Sequence, residues 1–147
     1  MLKLSTRGCY GLRAMLELAL HYGGKPVLMR SIAENQGISR KYLHALLTSL
    51  KSAGFVRSVR GSGGGYLLAK APANIRVDDV VQALEGSLSI TDCVEDPKVC
   101  HRSSRCVTHE LWQELSQAVA RLLSAVTLED LVARHAAKEA EVPMYHI

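Results

Sequence analysis

The sequence predicts a mainly α-helical chain with one small β-hairpin and a long C-terminal helix suited to pairing with a second copy. Three observations predict it. Apolar residues recur at helical spacing in five stretches, 6–22, 29–36, 39–53, 77–85 and 108–125. A single glycine-rich tract, Arg60-Gly-Ser-Gly-Gly-Gly65, separates two runs rich in β-formers. Beyond residue 110, Leu111, Leu115, Ala118, Leu122 and Ala125 step by four and three, the seam of a helix that meets another helix.

In the first stretch, Leu12, Met15, Leu16, Ala19 and Leu20 form the apolar stripe; Gly23-Gly24 ends the helix and Pro26 prevents its resumption. Cys9, alone near its start, reads as a small packed side chain. A short helix over 29–36 follows, with Ile32 and Ala33 inward, and Gly37 supplies the turn. Ser39 is a suitable N-cap for the next helix, whose buried stripe is Leu43, Leu46, Leu47 and Leu50. Its other face carries Arg40, Lys41, His44, Thr48 and Lys51. Short helix, glycine turn and basic helix form a helix-turn-helix, whose second helix enters the major groove of DNA.

The runs 55–59 and 66–69 then pair as a hairpin directly after this helix, the wing of a winged helix-turn-helix. Gly61, Gly63 and Gly64 let the backbone approach phosphate, and Arg57 and Arg60 add charge. A nucleotide-binding loop would instead join a strand to a helix, often with Gly-Lys-Ser/Thr, so no nucleotide is expected.

After Pro72, Val77, Val80, Val81 and Leu84 face inward on another helix that Gly86 stops. A loop containing Pro97 leads to the long helix, for which Thr108 is the expected cap. Trp112, Val119, Leu123 and Val126 form a second apolar stripe beside the seam. Two apolar faces on one helix predict a homodimer, one face packing on its own subunit and the other across a two-fold axis. Thr127-Leu-Glu-Asp130 resembles a capping box for a short terminal helix, and the tail after Ala140 carries no usable pattern. The expected organisation is a DNA-binding domain over 1–86, a cofactor loop over 87–107, a dimerisation helix over 108–126 and a terminal helix and tail over 127–147.

Charge divides along the same line. Residues 1–76 carry a net +10, and residues 77–147 a net −6. A basic N-terminal half of this strength is the footprint of a polyanion partner, here double-stranded DNA. No apolar run approaches the length of a membrane span and no secretory leader is evident, so no membrane partner and a cytoplasmic location are expected.

Cys93, Cys100 and Cys106 fall within fourteen residues, and His109 follows three positions later. In a reducing compartment, clustered thiols are metal ligands or redox groups before they are structural disulfides. The spacing is wider than the tight pairs typical of zinc knuckles and suits a larger cofactor, an iron–sulfur cluster. A structural zinc and a metal-free thiol switch are the alternatives. His109 is the expected fourth ligand, with Cys9, His101 and Glu110 as substitutes. There is no Cys-x-x-Cys pair, no paired carboxylates in a plausible site and no nucleotide fingerprint, so an enzyme is not expected.

The N-terminal helix, Ile32-Ala-Glu-Asn-Gln-Gly-Ile-Ser39 and the wing Val59-Arg-Gly-Ser-Gly-Gly-Gly-Tyr-Leu-Leu68 resemble a bacterial family of winged-helix transcription regulators. That family includes sensors of iron–sulfur assembly, nitric oxide and iron. The resemblance covers residues 1–134, and Cys93, Cys100, Cys106 and Thr108-His-Glu-Leu-Trp112 are most similar to its IscR subgroup. It implies a dimer with one 2Fe-2S cluster per subunit, held by the three cysteines and His109. It also implies a palindromic operator and control of iron–sulfur biogenesis genes. For DNA contact it points to Ser39, Lys41, Tyr42 and Arg60. Two departures stand out: His44-Ala45 replaces the acidic residue and glutamine common in that subgroup, and the first cysteine spacing is one residue longer.

Overall fold

A computed structural model describes residues 3–142. Its order is α1 (Thr6–Leu20), α2 (Met29–Gln36), α3 (Arg40–Ser52), β1 (Val56–Val59), β2 (Gly65–Leu68), α4 (Val77–Glu85), α5 (Asp92–Glu95), α6 (Val107–Ser124) and α7 (Leu128–Glu141). Single 3-10 turns lie at Pro72–Asn74, Pro97–Val99 and Ser103–Arg105. The mainly α winged helix-turn-helix with a small hairpin is therefore the observed fold.

Helices α2 and α3 form as the spacing predicts. Gly37 ends α2 in the left-handed conformation at φ 63°, and the Ser39 hydroxyl caps α3 by accepting from the Tyr42 N–H at 3.2 Å. Leu43, Leu46, Leu47 and Leu50 are all completely buried. Strands β1 and β2 are antiparallel with Val56 opposite Leu68 and Val59 opposite Gly65. Tyr66 exchanges two backbone hydrogen bonds with Val27, at 2.9 and 2.8 Å, which fastens the wing to the segment before α2.

The phase of α1 differs from expectation. Its buried face is Gly8, Gly11, Ala14, Met15, Glu17, Leu18 and Ala19, while Leu12, Leu16 and Leu20 are only half-buried. The reason is close approach: α4 lies so near that a Cβ at Gly11 would strike the Leu84 side chain. Apolar periodicity does not register glycines that face a neighbour. Glu17 is buried because Asn35 and Gln36 donate to its two carboxylate oxygens at 2.6 and 2.8 Å, which removes the cost of an unpaired buried charge. Cys9, expected inside, is exposed.

Three further corrections concern the C-terminal part. The segment expected to be a plain loop between α4 and the long helix contains α5 and two 3-10 turns. The long helix begins two residues earlier than its expected cap implies: Cys106 occupies the cap position, and Thr108 sits inside the first turn with its hydroxyl on the Cys106 sulfur. The terminal helix is 14 residues long rather than short, and opens with the expected capping box between Thr127 and Asp130. It packs on α1 and on the Pro72–Asn74 turn, with Leu128 fully buried in the common core. Backbone pairing of residues 75–77 with 126–128 holds its start beside α4. The final residues of the expected tail, 143–147, lie outside the described residues.

Candidate functional site

The face expected to read DNA consists of α3 and the wing. Arg40, Lys41 and His44 are exposed on the side of α3 opposite its leucines, and Arg57 and Arg60 are exposed on β1 and at its end. Among the described residues, none of the four arginines and lysines in this set pairs with a carboxylate. Cations without internal partners keep their charge for phosphate. Lys51 is committed locally: it donates to the Ser58 hydroxyl at 2.9 Å and ties the end of α3 to the wing.

The remaining residues expected to meet DNA have structural ties as well. Ser39 is exposed while capping α3. Tyr42 is half-buried, its hydroxyl 3.0 Å from that of Thr6 and its ring edge-on to Tyr10 at 6.3 Å. Gly61 and Gly63 are exposed with φ 95° and 75°, a conformation that L side chains rarely adopt. Gly64 is buried instead, and a Cβ there would strike backbone oxygens of Val59 and Gly61. Its lack of a side chain serves the turn itself, which needs close backbone approach at this position.

The cysteine–histidine centre lies where α5 meets the start of α6. Cys93 and His109 come together, with Nδ1 of His109 3.3 Å from the sulfur. The Thr91 hydroxyl lies 3.2 Å from the same sulfur. Cys106 stands at the positive N-terminal end of α6. Its thiol is held below the usual range, chiefly by the Thr108 hydroxyl, then by the His109 backbone N–H, with Arg102 adding positive charge. Cys93, Cys100, Cys106 and His109 are all half-buried. His101, Glu110 and Cys9 are exposed.

Thiolates and imidazole are the donors that iron–sulfur clusters accept, so the chemistry of this set fits such a group. The structure joins only Cys93 and His109. Among the described residues no three His, Cys, Asp or Glu side chains stand together as a set able to hold one metal ion. Cys100 and Cys106 flank the Ser103–Arg105 turn, in a stretch with no buried residue.

Two ties invisible in the sequence hold the end of α4, one to both α1 and α3 and the other to the start of α1. The guanidinium of Arg7 donates to the Leu84 carbonyl and to the Ser49 hydroxyl, both at 3.1 Å. Glu85 accepts from the Ser5 N–H at 2.9 Å, the Ser5 hydroxyl at 2.5 Å and the Gly8 N–H at 3.0 Å. No sequence motif announces either residue.

A basic helix-turn-helix followed directly by a hairpin wing defines a DNA-binding transcription regulator. The chain belongs to the Rrf2 family, described as an iron-dependent transcriptional regulator, whose model matches residues 4–134. Over 131 residues it is 43% identical to the HTH-type transcriptional regulator IscR of Photorhabdus laumondii, covering 89% of this chain and 79% of that one. Among solved structures it is similar to T. potens IscR, with a TM-score of 0.77 and 40% identity over 97% of this chain and 93% of that chain. It is equally similar to CymR of B. subtilis, described as the global cysteine regulator, with a TM-score of 0.78 and 40% identity over 91% of this chain and 98% of that chain. The family places this chain among transcriptional regulators and not among enzymes. No helix of the described residues is long and apolar enough to cross a membrane.

Proposed function

We propose that this chain is a cytoplasmic, homodimeric regulator that reads a palindromic operator of iron–sulfur biogenesis genes. Its response is set by a 2Fe-2S cluster on Cys93, Cys100, Cys106 and His109, one per subunit. The observation that carries this reading is the close pairing of Cys93 with His109, which puts a thiol and an imidazole side by side at the N-terminal end of α6. When bound, the cluster supplies a group that can change its charge and oxidation state or be lost.

The chain's own residues do the rest. Cys106, with its lowered thiol pKa, presents a thiolate more readily than an ordinary cysteine. Cys100 lies between turns that bury no residue, so turning it toward Cys93 breaks little packing. Ser39, Arg40, Lys41, Tyr42 and His44 present α3 to the major groove, while Arg57, Arg60, Gly61 and Gly63 present the wing to the backbone. Gly64 supports that wing from within.

The homodimer rests on α6. None of its 18 residues is buried in a single chain. Leu111 and Leu122 of the heptad seam are 53% and 68% exposed, whereas Trp112, Val119 and Leu123 of the other stripe are half-buried. Covering a leucine fully contributes about 1.5–3 kcal/mol, so a second copy of the seam is the natural partner.

The test compares operator affinity of anaerobically purified and cluster-stripped protein by fluorescence anisotropy at one salt concentration. A difference of about fivefold or more is expected. Equal affinities for specific and unrelated DNA, in both states, would contradict the reading.

A further inference from the structure

We infer that Arg7 and Ser49 position the recognition helix according to the state of the cysteine segment. Resting on the sensor reading above, this assigns the coupling to residues outside the expected DNA contacts and outside the candidate ligand set.

The path starts where α4 stops. Leu84 and Glu85 are the last two residues of α4, and Gly86 releases the chain into the segment that reaches Cys93. The Ile90 N–H donates to the Ser116 hydroxyl of α6 at 3.1 Å within that segment, and displacement that this bond does not hold passes along the chain to Leu84 and Glu85. Both are seated in the first turns of α1, where Gly8 and Gly11 leave no space between the helices. A single carboxylate oxygen of Glu85 takes both Ser5 donors and the Gly8 N–H. These bonds keep the Glu85 carboxyl below its ordinary value, the Ser5 hydroxyl contributing most. The end of α4 and the start of α1 thus move as one piece.

Arg7 carries that piece to the reading head. Its Nε holds the Leu84 carbonyl and its Nη2 holds Ser49, which lies in α3 among the residues that follow the DNA-facing start. A guanidinium is planar and rigid, so its two bonds fix the Leu84 carbonyl and the Ser49 hydroxyl at one separation. The junction is partly buried, where such bonds are less weakened by water. Thr6, one residue earlier, meets Tyr42 near the start of the same helix. Two successive residues of α1 therefore hold α3 at two points, which fixes its direction and not only its distance.

Ser49→Ala cuts the tie while leaving the α1–α4 seat intact, and Ser49→Thr keeps the hydroxyl. Operator affinity is measured for both variants and the wild type, each cluster-loaded and stripped, with the cluster spectrum and thermal midpoint recorded. The expected result is a wild-type spectrum and a midpoint within a few degrees for Ser49→Ala, with its loaded-to-stripped affinity ratio falling to near one. Ser49→Thr restores most of the ratio. A Ser49→Ala ratio equal to that of a responsive wild type overturns the relay while leaving the sensor intact. A second measurement needs no cluster: hydrogen exchange of the stripped Glu85→Gln protein. Glu85 has no hydrogen bond to α3, yet faster exchange is expected across α3 with α6 unchanged. Unchanged exchange in α3 overturns the relay whether or not the wild type responds to its cluster. An unresponsive wild type together with faster exchange in α3 upholds the mechanical link and removes the sensor reading alone.

Discussion

Nδ1 of His109 stands 3.3 Å from the sulfur of Cys93, across 16 residues of sequence. Helix α6 supplies the imidazole in its first turn and α5 supplies the thiol, so two helix starts converge on one point. If His109 is a ligand, His109→Cys replaces a neutral donor with an anionic one. The visible spectrum should shift and the reduction potential should fall, as measured by anaerobic spectrophotometric titration. An unchanged spectrum would remove His109 from the ligand set.

Arg60 leads into the glycine tip of the wing and has no carboxylate partner among the described residues. Arg60→Ala should weaken operator binding, and the slope of log affinity against log salt should become shallower by about 1 for each phosphate that is no longer neutralised. Wild-type affinity with an unchanged slope would defeat the wing assignment.

Leu122 is 68% exposed on α6, so a charge there does not disturb the folded chain. Leu122→Glu puts like charges at the seam of the proposed dimer and should shift the protein to monomer in sedimentation velocity. Operator affinity should fall with it, because a monomer reads one half-site. A dimer of unchanged stability would move the interface off this seam.

Asp78 is buried and its carboxylate is paired with the Arg76 guanidinium, with Arg76 also 3.7 Å from Asp79. Bonding from Arg76 is the largest cause that holds the Asp78 carboxyl below its ordinary 3.8, against the opposing effect of burial. A lowered folded value means that the stabilisation is fully present above pH 3.8 and is lost as pH falls through that value toward the folded one. Asp78→Asn should therefore cost about 1 kcal/mol at neutral pH in urea unfolding. The gap to wild type should narrow below the ordinary carboxylate range. A gap that is constant with pH would mean that packing, not charge, supplies the stability.

Much of this was legible in the residues. The leucines of α3 repeat cleanly because that helix packs a single apolar stripe, and Gly37 and Ser39 mark its start by local chemistry alone. What escaped depends on neighbours. The phase of α1 is set by glycines that admit α4, and a glycine has no hydropathy to reveal it. Glu17 reads as a surface acid until Asn35 and Gln36 are placed around it. Thr108 looks like a cap by type, but Cys106 takes that position and the hydroxyl turns to the thiol. The three clustered thiols and a nearby histidine stand out by their spacing, yet spacing leaves the fourth ligand open and does not bring the groups to one point. Of the four, the fold itself unites Cys93 and His109.

The central claim is that the cysteine–histidine segment holds an iron–sulfur cluster. Its most direct test is the visible absorption spectrum of anaerobically purified protein, with iron and acid-labile sulfide measured on the same sample. The account predicts a coloured protein with about two irons and two sulfides per chain, as the 2Fe-2S type requires. A colourless protein with stoichiometric zinc, or with no metal and fully reactive thiols, would contradict it.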